Sequence, residues 1–199
     1  MVYRSIKIIR LPIIFLVIDF TICADPKSQS LLTSESEKGG WSIFGHGLLD
    51  SGYSQESGEL KINVNWAVSK WGIGGAYTLD TSIDGRELDA IRMEAKSEGG
   101  TKPKVVVGIS TKEDANLVIP IDKAVSINDE WQSLLFDIKD MVDDKPEETS
   151  KVFDNENDWE KIQIIKFLVL KPDGKGDEQN DILLRNPELI YQSTETQAD

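Results

Sequence analysis

Two stretches of strict period-two alternation constrain this chain more than any other feature. Across residues 60–66, Leu60, Ile62, Val64 and Trp66 alternate with Lys61, Asn63 and Asn65. Across residues 88–96, Ile91, Met93 and Ala95 fall on one side and Arg92, Glu94 and Lys96 on the other. Side chains alternate in this way only along an extended strand whose apolar face is buried against a second layer. Residues 72–79, 104–110, 115–121 and 131–138 read as further short strands. Residues 161–170 are almost continuously apolar, which predicts a central strand buried on both faces. Residues 181–191 close the series, with Pro187 sending their second half to an edge or into irregular pairing. Strands of this length between Gly, Asp and Asn turns predict an all-β fold, a jelly-roll β-sandwich of two antiparallel sheets in one domain. Residues 137–144 predict one helical turn with Ile138 and Met141 inward. The charged stretch 143–158, which contains Pro146, predicts a long surface loop.

The N-terminus is organised differently. Arg4, Lys7 and Arg10 precede an apolar run over residues 11–18, and Thr21, Ile22, Cys23 and Ala24 follow. This is the layout of a secretory signal peptide, residues 1–24, cut after Ala24. The alternative is a buried N-terminal strand or helix. The run is shorter than the roughly 20 residues a spanning helix needs, and Asp19 would be costly in hydrocarbon. Ile22 stands where lipid attachment to Cys23 would want a small residue. Cleavage removes the single cysteine, so the remaining chain relies on an apolar core without a disulfide. Residues 25–40 are Ser-, Glu- and Lys-rich and predict a flexible linker, with the sandwich over 41–193 and a tail over 194–199. The expected location is secreted, periplasmic or cell-envelope. The absence of an Asn-x-Ser/Thr sequon suits a bacterial protein of that kind.

With 22 basic and 35 acidic residues the chain carries a net charge of −13. Such a surface repels nucleic-acid phosphates and anionic membranes, leaving neutral ligands and cations. His46 is the only histidine, so neither a multi-histidine metal site nor a Cys/His pair can be built after cleavage. His46 has no nucleophile motif near it, and the Gly72-Ile-Gly-Gly75 turn is followed by no Lys-Ser/Thr of a phosphate loop. A glycosidase needs only two carboxylates at a set separation, and a chain this acidic supplies candidate pairs by abundance alone. A binding protein is expected, not an enzyme, with a glycoside hydrolase as the lesser alternative.

The aromatics carry more information: Trp41, Trp66, Trp71, Trp131 and Trp159, with Tyr53, Tyr77 and Tyr191. An aromatic face packs against the C–H face of a sugar ring while neighbouring polar groups bond its hydroxyls. Trp66 and Trp131 lie in phase with apolar strand residues, which favours the core. Trp71 and Tyr77 flank the Gly-rich turn and are the better candidates for stacking.

From Gly58 to Ile190 the order of features resembles a known family. The pieces are Trp71-Gly-Ile-Gly-Gly75 leading into Tyr77-Thr-Leu79, the strand Leu88-Asp-Ala-Ile-Arg-Met93, and Asn128-Asp-Glu-Trp-Gln-Ser-Leu-Leu-Phe-Asp-Ile138. The segment from Trp159 to Leu170 and the closing Asn180-Asp-Ile-Leu-Leu184 complete them. Together they resemble galactose-binding-like jelly rolls, notably family 11-type carbohydrate-binding modules and the complex I intermediate-associated protein domain. The long acidic loop 143–158 departs from the compact pattern. The resemblance implies a two-sheet jelly roll with a sugar-binding concave face and often one structural calcium ion. Its carbohydrate site would be Trp71, Tyr77, Arg92, Glu94 and Trp66, and its calcium ligands Asp181 and Asp50, unless both are ordinary turn residues. Two alternatives stay open: a structural or protein-interaction domain of the envelope on the same fold, and Arg92 and Glu94 on a convex face paired with cross-strand charges.

Overall fold

The computed structural model describes residues 27–31, 40–113, 115–143, 152–172 and 179–192. The expected signal peptide, Cys23, the tail and most of the expected linker lie outside them. Among the described residues thirteen strands form: β1 (Ser28–Ser30), β2 (Trp41–Phe44), β3 (Leu48–Ser54), β4 (Glu59–Asn65), β5 (Gly72–Ile83), β6 (Leu88–Glu98) and β7 (Lys104–Thr111). The rest are β8 (Asn116–Val118), β9 (Val125–Ser126), β10 (Gln132–Asp137), β11 (Val142–Asp143), β12 (Ile162–Leu170) and β13 (Gln179–Tyr191). The first sheet runs β10-β6-β13-β4-β3 with β1 also on β13, and the second runs β11-β8-β7-β12-β5-β2 with β9 on β7. Neighbouring strands are antiparallel throughout. The all-β sandwich is as expected.

The alternation builds the core. Leu60, Ile62 and Val64 of β4 and Ile91, Met93 and Ala95 of β6 face Val105, Val107 and Ile109 of β7 and Ile165, Phe167 and Val169 of β12, all buried. The expected helical turn is one 3-10 turn, Ile138–Asp140, with Ile138 and Met141 buried.

Four expectations need correction. First, the chain from 27 to 31 is no flexible linker, because β1 pairs with residues 188–190 of β13 and Leu31 is 0% exposed. The Leu31 amide donates to the Pro187 carbonyl at 2.8 Å, and the Trp41 indole donates to the Leu31 carbonyl at 3.0 Å. Secondly, of the two outcomes expected at Pro187, an edge or an irregular pairing, only the irregular pairing occurs. Asn186 takes φ 49° and the register shifts between Arg185 and Glu188, a bulge that absorbs the missing N–H. Beyond it β13 exchanges β4 for β1 and keeps β6, so it stays central. Thirdly, β12 is buried on one face only: Ile164, Lys166, Leu168 and Leu170 on its outward side are half-buried, since no further layer is described above them. Fourthly, the end of the acidic loop is anchored. Phe153 is buried and meets Trp159 edge-on at 5.3 Å, and the buried Asp158 carboxylate accepts the Asp154 amide at 2.8 Å.

Candidate functional site

The strand register settles which side chains share an outward face. On the first sheet, Ser133, Glu94, Arg185, Glu59 and Ser54 form one row, and Leu135, Arg92 and Glu188 another. Arg92 and Glu94 do point outward, as the alternation predicts. Each, however, is engaged by an ion pair across the sheet. Arg92 pairs with Glu188 at 2.6 Å, and Arg185 pairs with Glu94 at 2.6 Å. The Arg185 bond holds the Glu94 carboxyl below the ordinary carboxylate range, against its partial burial, with the Asn186 amide adding to the effect. Lys96 pairs with Glu98 and Lys61 with Asp181 in the same manner. Trp131 is not core: it lies half-buried on this side, with the Arg185 guanidinium 4.0 Å and the Lys96 ammonium 5.1 Å from its ring. Those cations hold the ring where a sugar would stack.

The predicted aromatics are elsewhere. Trp66 is 0% exposed, and its indole donates to Asn180, whose amide donates to Ser97. It has no face to offer a ligand. Tyr77 sits in the inward row of β5 with Ile73 and Leu79, its ring 5.5 Å from Trp41, and burial raises its hydroxyl pKa. Trp71 is 48% exposed, but it lies at the start of β5, beside Lys171. Arg92 lies six residues along β6 from Glu98, the residue level with that end of the sandwich, which is roughly 20 Å at strand rise. The expected stacking and hydrogen-bonding residues therefore do not form one site.

The second sheet presents a different outward surface. Its rows are Phe44, Gly74, Leu168 and Val106; then Ser42, Ala76, Lys166, Gly108, Val118 and Val142; then Thr78, Ile164, Ser110 and Asn116, of which Gly74, Val106, Gly108, Ser110 and Asn116 are buried, so the open part lies over β2, β5 and β12. These three rows hold no carboxylate, although the chain carries 35 acidic residues; the next outward residue along β5 is the exposed Asp80. Phe44 is 41% exposed, and its ring lies over Gly74, where an added Cβ would come within 2.5 Å of the ring and 3.0 Å of Leu168. A glycine inside a strand marks such a close approach. Next to this ring is Leu168, with Ser42 two residues along β2 and Ala76 two residues along β5, while Thr78 and Lys166 lie on the same face about 12–14 Å away, the Lys166 ammonium donating to the buried Asn116 at 2.5 Å. The arrangement offers an aromatic platform, apolar ground and neutral hydrogen-bonding groups together.

No protein-family profile matches the chain, and no curated protein does. Solved structures do. The chain is similar to a family 11 carbohydrate-binding module from Clostridium thermocellum in complex with a β-1,3-1,4-mixed-linked tetrasaccharide, at TM-score 0.53 and 14% identity over 82% of this chain and 95% of that one. A family 30 carbohydrate-binding module superposes at TM-score 0.55 and 13% identity over 83% of this chain and 99% of that one. An agarase matches at TM-score 0.56 and 12% identity, 83% of this chain covering 24% of the enzyme. The fold is the jelly roll of the carbohydrate-binding modules.

In this jelly roll the residues expected to hold calcium do not fit the ion. Asp181, Asn63 and Asp50 lie level on β13, β4 and β3, which sets the two aspartate backbones about 10 Å apart. Both Asp181 oxygens are taken, one by the Lys61 ammonium and one by the Asn63 amide, each at 2.6 Å. Burial works to raise its pKa, yet these two donors outweigh it and hold the carboxyl below the ordinary value. Calcium wants six to eight oxygens, whereas two nitrogen donors face this carboxylate. Asp50 accepts the Ser51 amide. Among the described residues no group of three His, Cys, Asp or Glu side chains converges to hold a metal.

Proposed function

We propose that this protein is an exported, non-catalytic carbohydrate-binding domain that takes a neutral glycan on the outward face of its second sheet. One observation carries the reading: the exposed Phe44 ring, seated on Gly74, within rows free of carboxylates on a strongly acidic molecule. A sugar ring laid on Phe44 and Leu168 would bury its C–H face, Ser42 two residues along β2 could bond its hydroxyls, and further units of a chain would extend toward Lys166 and Thr78. The family 11 and family 30 modules of the same fold support this class of ligand. The mixed-linked tetrasaccharide of one of them makes β-glucans the first polymers to try. Export rests on the signal-peptide layout of residues 1–24 and would place the domain outside the cytoplasm.

The test is electrophoresis through gels that contain mixed-linked β-glucan, cellulose derivatives or agarose, with wild type beside Phe44→Ala. Phe44 is 41% exposed, and circular dichroism of the variant checks that it keeps the fold. Loss of the ring should weaken binding by about 1–3 kcal/mol, the scale of a buried aromatic side chain. Retention of wild type by none of these polymers, or equal retention of both proteins, sinks the proposal. Release of reducing ends from a retained polymer would sink its non-catalytic part alone.

A further inference from the structure

At the other end of β5 from Trp71 lies a groove of about 410 Å³, lined by Gly85, Arg86, Leu88, Asp89, Ile138, Lys139, Trp159 and Gln192. We infer that it is a second binding site, separate from the sheet face, for a single neutral sugar unit, free or at the end of a glycan. Three features build it. The Trp159 ring is fixed: it rests on Gly85, where an added methyl would collide with it, it meets Phe153 edge-on at 5.3 Å, and its indole donates to Asn155 at 3.2 Å. The Arg86 guanidinium is oriented by Asp84 at 2.7 Å and Glu160 at 2.5 Å. Apolar Leu88 and Ile138 line the same space as exposed Asp89, Lys139 and Gln192.

The chemistry of the lining selects the ligand. Arg86 is matched by two carboxylates and Lys139 by Asp137 at 3.1 Å, so neither cation calls for an anion. What the groove offers is an aromatic wall with donors from Arg86 and Gln192 and acceptors from Asp89 and Gln192, the set that suits a ring bearing several hydroxyls. The volume falls in the range of small-ligand sites, about 300–1,000 Å³. A polysaccharide lying along a strand row would not be held by a groove confined to the loop end.

Nuclear magnetic resonance of the nitrogen-15-labelled protein resolves the indole N–H signals of its 5 tryptophans, and Trp159→Phe assigns the one that matters. Glucose, galactose, mannose and xylose are titrated singly to millimolar concentration. The expected result is a saturable shift of the Trp159 signal with at least one sugar. It should persist in Phe44→Ala and weaken tenfold or more in the Asp89→Ala, Gln192→Ala double variant, whose replaced side chains are exposed. No shift with any of the four sugars, or a shift undiminished in the double variant, overturns the inference. Because the sheet-face reading is judged by polymer retention and Phe44, either can fail without the other.

Discussion

Glu94 shows how a charged residue on a strand can serve the sheet instead of a ligand. Its carboxylate accepts from Arg185 at 2.6 Å and from Asn186 at 2.9 Å, while Arg185 also covers the Trp131 ring. The Arg185 bond is the main cause that holds its folded-state pKa below that of the unfolded chain. A depressed carboxyl stabilises the fold above the unfolded value, near 4.3, and the contribution is lost as pH falls through the lower folded value. Glu94→Gln should therefore melt below wild type at pH 7, by no more than about 1 kcal/mol for a pair this close to solvent. The gap should close as pH drops below about 4 and shrink in high salt. A gap of equal size at pH 7 and pH 3, read from paired thermal melts, would assign the effect to packing and not to charge. Asp181 gives a second residue-level test. With both its oxygens engaged by Lys61 and Asn63, Asp181→Asn should shift the melting temperature by the same amount in calcium as in chelator. A difference between the two conditions would restore a metal to this carboxylate.

At the scale of elements, β1 and the bulge in β13 depend on each other. β4 pairs with β13 only as far as Arg185, and the bulge at Asn186 and Pro187 leaves the next stretch of β13 without a neighbour on that side. β1 fills the gap and lowers Leu31 into the core. Leu31→Ala should cost about 2–5 kcal/mol, the range for truncating a buried leucine, and a chain that begins at Gly40 should lose at least as much. Calorimetry showing the shortened chain as stable as the full one would undo this docking. Such dependence also marks what a sequence can disclose. The inward rows of β4 and β6 were legible because four apolar residues, or three, repeat at period two. β1 holds no apolar residue, Leu31 coming directly after it, and β2 is four residues long, too few for any period to register. Alternation placed Arg92 and Glu94 outward, yet it carries no information on which sheet a strand joins or which charge lies across from it. For that reason the sequence pattern groups them with Tyr77, which belongs to the other sheet, and with Trp71, which directly precedes its strand β5. Phe44 could have been found through its partner: glycines at 72, 74 and 75 in one strand are too many for packing unless another group approaches closely.

For the molecule as a whole, the decisive quantity is the uneven placing of charge. The net value is −13, and most described carboxylates lie on the first sheet and the loops, while the second sheet's outward face carries Lys166 at its centre and Asp80 farther along β5. A polymer approaching that face still meets the field of the entire protein at low salt, since charges act across about 30 Å at 0.01 M but only about 10 Å at 0.1 M. Sulfated or carboxylated polysaccharides should consequently be repelled at low ionic strength, with repulsion relaxing as salt is added. A neutral β-glucan feels no such field, and on the proposed face its contacts with Phe44 and Leu168 would be apolar. Its retention should stay constant between low and high salt, or rise slightly as salt strengthens apolar burial. Affinity electrophoresis at two ionic strengths against one neutral and one sulfated polymer separates the cases. Strong retention by the sulfated polymer at low salt, falling as salt rises, would mean that a cationic patch governs binding. The site would then have to be sought around Lys166 and Lys104, and not on the ring of Phe44.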